Sequence, residues 1–381
     1  TGGTGADKFV LRNPNSYDVI TDFNASQGDE IWLDRDAFPG MASFNNSTQT
    51  LSMGGKKIFA LENAVGFNAH EHVKFISAEQ LDAHTSLPGT ERAIGEYGTV
   101  DNLTHVWQTI ELDGNYIDPV VIASDPTFNG EDFSGIRLRN VDSDSFDIRI
   151  QEGDYLNDVH TFGETVSFFV VEAGEWELAD GTRIAAGLHR TDNLVTNQND
   201  FDTIDFTDNG LTDFVSAPTV LSQIQTNGTN EGGSQWVTTR LKGQSSTGFS
   251  LGMQEEAALN PDNHVEETIG WLAIEQGVSH DADGDLLLQG GTTGVHVDEN
   301  WDTITFGEGF DVTPTLIAKL GSTRGIDPSV LRLDSGSIST TGFDAFVQED
   351  QSLTPDIMHA DESISYLAFN GSSGVITGFE F

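Results

Sequence analysis

"SFDIRIQEGDYLNDVHTFGETVSFFVV", residues 145–171, decides the fold class. Phe146, Ile148 and Ile150 fall on one face of an extended segment, because residues two apart share a face of a strand, and Glu152 ends that row. Beyond a polar loop the order reverses, with Glu164 opening a row that continues through Val166 and Phe168. Two short alternating segments with one apolar face each predict strands of a β-sandwich. Both core-facing rows then carry a carboxylate at the same end of the sandwich.

The pattern occurs three times. "GFSLGMQEEAALNPDNHVEETIGWLAI" from Gly248 puts Phe249, Leu251, Met253 and Glu255 on one face, then Glu267, Ile269 and Trp271. "GFDAFVQEDQSLTPDIMHADESISYLAF" from Gly342 does the same with Phe343, Ala345, Val347 and Glu349, then Glu362, Ile364 and Tyr366. Upstream, "WQTIEL" at Trp107, "FDTIDF" at Phe201 and "WDTITF" at Trp301 open the copies, followed by Pro119, Pro218 and Pro314. A repeat of about one hundred residues made of short strands predicts tandem sandwich modules. The expected division is an N-terminal β-roll and small β domain over 1–92 and antiparallel β-sandwich modules over 93–195, 196–298 and 299–381, an all-β chain throughout. Four similar glycine-containing strands, "AIGEYGTV", "IAAGLHRT", "LQGGTTGV" and "VITGFEF", flank the modules and can pass from one to the next, which predicts packing about a pseudo-threefold axis.

A histidine recurs in the loop of each copy, three or four residues before the second glutamate: His160, His264 and His359. If the flanking strands are neighbours, Glu152 meets Glu164, Glu255 meets Glu267 and Glu349 meets Glu362. Two like charges at a partly buried rim require a shared proton or cation. One reading is a structural clasp, an imidazolium bridging two carboxylates, with the amides of Gln151, Gln254 and Gln348 bonding loop backbone. The other is a cation held by two carboxylates and an imidazole, a set that suits zinc or manganese better than calcium. Catalysis fits less well, because parity buries both carboxylates and no serine or cysteine nucleophile recurs beside the histidine.

Composition narrows the partners. With 61 acidic against 17 basic residues the net charge is -44, which argues against nucleic acid and anionic membrane surfaces and favours cations. No apolar run reaches the roughly 20 residues that span a bilayer, so no membrane insertion is expected. Cysteine is absent, so neither a disulfide framework nor thiol chemistry is available. The abrupt start at "TGGTGADKFV" reads as an excised fragment or processed product.

"GGTGADKFV", residues 2–10, fits the nonapeptide of parallel β-rolls, and with "YDVITDFNASQGDEIWLD" after it the stretch resembles the end of a hemolysin-type (RTX) calcium-binding repeat array. That resemblance implies calcium as cofactor, with Gly3, Gly5 and Asp7 as a partial site. It also implies that Val19, Ile20 and Phe23 cover the open end of the roll and that Ile31 and Leu33 form the next strand. Hairpins are expected around Asn45-Asn46 and Gly54-Gly55, and a short helix is the best helical reading of "SAEQLDAHTS".

"DPVVIASDP" with "GIRLRNVDSDSFDIRIQE" resembles the middle of an H-type lectin domain, an antiparallel sandwich whose family forms trimers and binds sugars such as N-acetylgalactosamine. The Gln-Glu, histidine and glutamate series does not map onto that family's sugar site. Stacking on a glycan needs exposed aromatics, and Tyr116, Tyr155 and Trp236 are the candidates because they do not recur. Trp107 and Trp301 are expected in the core, since Phe201 fills their place in the second copy. The expectation is a non-enzymatic extracellular or cell-surface protein with adhesive or carbohydrate-binding modules, its partners glycans or other copies of itself. The alternatives are a surface-layer or fibre protein, or an accessory region of a secreted polysaccharide-degrading enzyme.

Overall fold

The computed structural model describes residues 8–11, 18–21, 23–35, 37–38, 42–45, 47–53, 56–62, 67–68, 72–76, 91–197, 199–228, 235–258 and 264–381. The fold is all-β, with two short 3-10 turns among the described residues, at Ala25–Gln27 and Thr207–Asn209. The chain divides into two units, residues 1–88 with 206–212, and residues 89–205 with 213–381.

The N-terminal unit carries β1 (Lys8–Leu11), β2 (Asp18–Ile20), β3 (Glu30–Asp34), β4 (Ala42–Asn45), β5 (Thr50–Met53), β6 (Lys56–Leu61) and β7 (Val73–Ile76). β1, β3 and β7 stack in parallel, and β2 joins the antiparallel meander β4–β5–β6 through a parallel pairing with β6. Their apolar faces meet in a core that includes Leu11, Ile20, Phe23, Ile31, Leu33 and Phe59. Val19 departs from expectation. It is 46% exposed, because its neighbour Ile20 takes the inward face of β2 and successive residues of a strand point opposite ways. Paired strands flank both expected hairpin turns. Gly3, Gly5, Asp7 and the "SAEQLDAHTS" segment lie outside the described residues.

The second unit begins with β8 (Arg92–Leu103), β9 (Gln108–Glu111), β10 (Pro119–Ala123), β11 (Ser134–Arg139), β12 (Ser145–Glu152) and β13 (Glu164–Glu172). A hairpin follows, β14 (Gly174–Glu177) and β15 (Arg183–Thr191). The second copy has β16 (Asp202–Asp205), β17 (Thr219–Ile224), β18 (Val237–Ser245), β19 (Gly248–Glu255) and β20 (Glu267–Ile274), then the hairpin β21 (Gly277–His280) and β22 (Leu286–Thr292). The third has β23 (Asp302–Thr305), β24 (Thr315–Leu320), β25 (Ser329–Leu333), β26 (Gly342–Glu349) and β27 (Ile364–Phe369), and β28 (Gly374–Glu380) follows.

Each module is a sandwich of an outer three-stranded sheet, β11-β12-β9, β18-β19-β16 or β25-β26-β23, and an inner sheet. The inner strands run β10-β13-β8-β28 in the first module and β14-β15-β20-β17 in the second, joined through the β28–β14 pairing into one eight-stranded sheet, and β24-β27-β22-β21 in the third. The strand that opens each inner sheet comes from the linker: β15 pairs with β20 of the second module and β22 with β27 of the third. The module boundaries expected at 195 and 298 therefore move back to the hairpin turns. Those turns are Asp180-Gly181 and Asp283-Gly284, whose glycines have φ of 89° and 88°, where a Cβ would be strained. At the third junction no turn is needed, because β28 pairs directly with β8 of the first module and closes the ring.

Inner strands such as "PVVIA" and "SFFVV" are apolar on both faces, and the packing explains why. Val121, Ala123, Val166 and Phe168 face the outer sheet of their own module. Val120, Ile122 and Phe169 face the other way, into a central core shared with Leu221 and Leu272 of the second module and Ile317 and Leu367 of the third. A strand buried on both faces reads as a continuous hydrophobic run.

Candidate functional site

The repeated glutamates do meet, but not across neighbouring strands. β12 and β13 lie in opposite sheets, so the row ending in Glu152 and the row starting at Glu164 face each other through the sandwich core. His160 fills the gap between them, its Nδ1 3.2 Å from Glu152 and its Nε2 3.1 Å from Glu164. His264 lies 2.6 Å from Glu255 and 3.1 Å from Glu267 in the same way, and His359 lies 2.7 Å from Glu349 and 3.4 Å from Glu362. All nine side chains are buried.

The sequence reading missed a further partner. The second glutamate of every clasp also receives a buried arginine from a different module. Arg332 of the third module is 3.2 Å from Glu164 of the first, Arg137 of the first is 2.8 Å from Glu267 of the second, and Arg240 of the second is 3.1 Å from Glu362 of the third. The contacts run in a cycle around the three modules. Arg137, Arg240 and Arg332 stand at matching places on β11, β18 and β25, so the repeat itself was the signal that could have found them.

Each second glutamate is further held by a hydroxyl, from Thr127, Thr226 or Ser322, and by a glycine N–H, from Gly130, Gly228 or Gly325. Burial alone would raise the carboxyl of Glu267, yet the bonds from His264 and Thr226 and the charge of Arg137 hold it at about 2. Glu164 and Glu362 are lowered by the same kinds of partner against the same cost of burial. For His264 burial disfavours the charge, but the bonds to Glu255 and Glu267 outweigh it and the pKa is raised. Burial lowers the pKa of all three arginines, Arg332 to about 10, against the pull of their glutamates. The positive charge that paired carboxylates require is thus supplied by protein groups from two modules at once.

The glutamines also reach across. Gln254 Nε2 donates to the Ile326 carbonyl of the third module at 2.6 Å, and Gln348 Nε2 to the Glu131 carbonyl of the first at 2.8 Å. These bonds go to the loops of the next module rather than to their own. At the axis Lys319 Nζ donates to Asp125 at 2.7 Å and to Gln223 at 3.1 Å, joining one residue from each module.

The expected stacking residues are placed otherwise. Tyr116 is buried and its hydroxyl donates to Glu96 at 2.9 Å. Trp236 is buried between modules against Phe133 and Val330, with half-buried Tyr155 packed on the same cluster. Trp236 and Tyr155 mark an irregular seam between copies, and Tyr116 belongs to the first module's own core. The ring expected in the core, Trp301, is instead 49% exposed. Trp107 is half-buried, with the Arg139 and Arg149 guanidinium groups 4.1 and 5.2 Å from its ring centroid. Two clefts also lie at matching edges, one of about 620 Å³ lined by Val100, Ile110 and Phe168, the other of about 400 Å³ lined by Gln289, Ile304 and Tyr366.

No family model matches the chain, and no solved structure matches it. Among curated proteins it is similar to Halomucin of Haloquadratum walsbyi (strain DSM 16790 / HBSQ001), at 32% identity over 288 residues. The match covers 73% of this chain and 3% of the halomucin chain. No helix among the described residues is long and apolar enough to cross a membrane.

Proposed function

We propose that the chain is part of an extracellular or cell-surface protein whose three-module ring acts in adhesion or carbohydrate binding. The observation that carries this reading is the cyclic set of module contacts. Each clasp ties the two sheets of its own sandwich and takes an arginine from another module, so the ring works as a rigid scaffold whose outward faces are free to recognise a partner. The similarity to a segment of Halomucin supports a surface setting, and the net charge of -44 suits a solvated protein there. An array of immobilised glycans tests the reading: saturable binding is the expected outcome, and a chain that binds no glycan would contradict it.

Calcium on this reading belongs to the N-terminal unit. Support comes from the nonapeptide at 2–10 and from the parallel stacking of β1, β3 and β7. Thermal melts with calcium and with chelator should differ, and deletion of residues 1–90 should abolish the difference.

A further inference from the structure

The outer sheets of the three modules carry one aromatic position in common. Trp107, Phe201 and Trp301 each stand immediately before the first outer strand. In the first module Arg139 and Arg149 cover the ring, and in the second Lys242 lies 4.2 Å from the centroid of Phe201. A cation over an aromatic face satisfies the negative quadrupole and closes that face to other partners. The third module has lost this cover. The repeat register puts Asp334 where the others have Arg139 and Lys242, and Phe346 where the first has Arg149. Trp301 is left open, packed edge-on against Phe346 with centroids 4.5 Å apart, and Phe128 of the first module, itself under the Arg332 guanidinium, buttresses Phe346 at 5.0 Å.

The rim differs in the same sense. Asp147 in the first module is bonded by Thr109 at 2.6 Å and by Arg139 at 3.0 Å. Its counterpart Asp344 keeps the threonine bond, from Thr303 at 2.6 Å, but stands next to Asp334 instead of an arginine. Among the described residues no ion pair joins Asp334 or Asp344. Asp334 Oδ1 accepts from the Gly336 N–H at 2.8 Å, and two like charges opposed across a strand pair repel each other.

We infer that the open indole face of Trp301, propped edge-on by Phe346 and Phe128, is a stacking platform for a neutral or amino-bearing saccharide unit, with Asp334 and Asp344 accepting its hydroxyl or amine hydrogens. This rests on the carbohydrate-binding reading and locates it. The C–H face of a sugar ring is apolar and slightly positive, so it lies flat on the negative face of an indole, while the equatorial hydroxyls reach the carboxylates at the edge. Uronate-bearing and sulfated sugars are disfavoured by the acidic rim. A second copy of the chain is disfavoured for the same reason, since each copy carries -44. The first and second modules, with their rings covered, are the internal negatives.

The test uses the full chain on an array of neutral, N-acetylated, amino-bearing and uronate-bearing oligosaccharides. A titration of the best binder, followed by tryptophan fluorescence, then compares variants. Trp301→Ala should weaken binding by about tenfold or more, and Trp107→Ala should leave it unchanged. The double variant Asp334→Arg with Phe346→Arg installs the first module's cover while keeping the tryptophan, and it should also abolish binding with the melting temperature preserved. Binding that survives in Trp301→Ala would overturn the platform but leave the carbohydrate reading standing. No binding by the parent chain to any array member would sink both. Preference for uronates, or self-association of the parent chain that Trp301→Ala removes, would overturn the saccharide assignment.

Discussion

The clasp end of each module and the outer aromatic position of each module obey opposite rules. At the clasp, Glu, His, Glu, a hydroxyl, a glycine N–H and an incoming arginine occur three times with one geometry. At the outer position, tryptophan under two arginines, phenylalanine under a lysine and a bare tryptophan beside phenylalanines occupy one place. A buried ion network tolerates little change because removing any member leaves a buried charge short of compensation. A surface position bears no such constraint, and there the copies diverge. What is uniform closes the ring, and what varies is free to be functional.

The largest expected effect breaks the uniform side. Arg240→Ala leaves Glu362 buried with its charge compensated only by His359, which should cost on the order of 3 to 5 kcal/mol in a denaturant melt. Equal melts for parent and variant would show that the module cycle contributes nothing. His264→Ala should cost somewhat less, on the order of 2 to 4 kcal/mol, because Arg137 still faces Glu267. Replacing Glu255 alone by glutamine should cost less again, because Glu267 then keeps both His264 and Arg137.

The clasp was legible in outline because parity and repetition are both sequence properties. Alternation put Glu152, Glu255 and Glu349 on core-facing rows, and the recurring histidine pointed to the missing charge. Strand order was not legible, since alternation says which face a residue takes and not which sheet its strand joins. That is why neighbouring strands were expected where the sandwich has opposed ones. The arginines escaped for a related reason. "GIRLRN" reads as a polar-apolar hairpin strand, and nothing local says that its polar face meets another module. Trp301 was misplaced because equivalence with Phe201 was taken as a sign of burial, whereas its exposure depends on Asp334 and Phe346, far along the chain and in adjacent strands.

Acidity separates the two sides at intermediate cost. The lowered carboxyl of Glu267 contributes stability that is present above its ordinary 4.5 and lost as the pH falls toward 2. The raised His264 contributes fully below 6.5 and loses its share as the pH rises through its folded value. Glu256, pushed by burial up to about 7 with Asp154 and Asp350 adding to the effect, favours the fold below 4.5 and ceases to do so by about 7. Chemical denaturation midpoints should therefore drop steeply below pH 4.5, and Glu256→Gln should flatten the slope between 4.5 and 7. An unchanged slope in that variant would place its titration elsewhere.

The smallest effects belong to the outer position. Trp107→Ala loses two cation contacts and should cost about 1 to 2 kcal/mol, while Trp301→Ala, already open to solvent, should cost less than about 1 kcal/mol. A reversed order, read from paired thermal melts, would mean that the exposed ring has a structural duty and that the contrast between the modules is not one of availability.

The central claim is that three modules close into one ring, and the β28–β8 pairing tests it most directly. Thr377 stands opposite Ala93 in that pairing, both exposed, and the chain has no cysteine of its own. Directly opposed strand residues have Cα atoms about 4.5 to 5.5 Å apart, within the span a disulfide accepts. Mild oxidation of the Ala93→Cys, Thr377→Cys variant should give an intramolecular disulfide in nearly all molecules, seen as a faster monomer on a non-reducing gel. Thiols that stay free, or that link only between chains, would mean the third module does not return to the first and would contradict the ring.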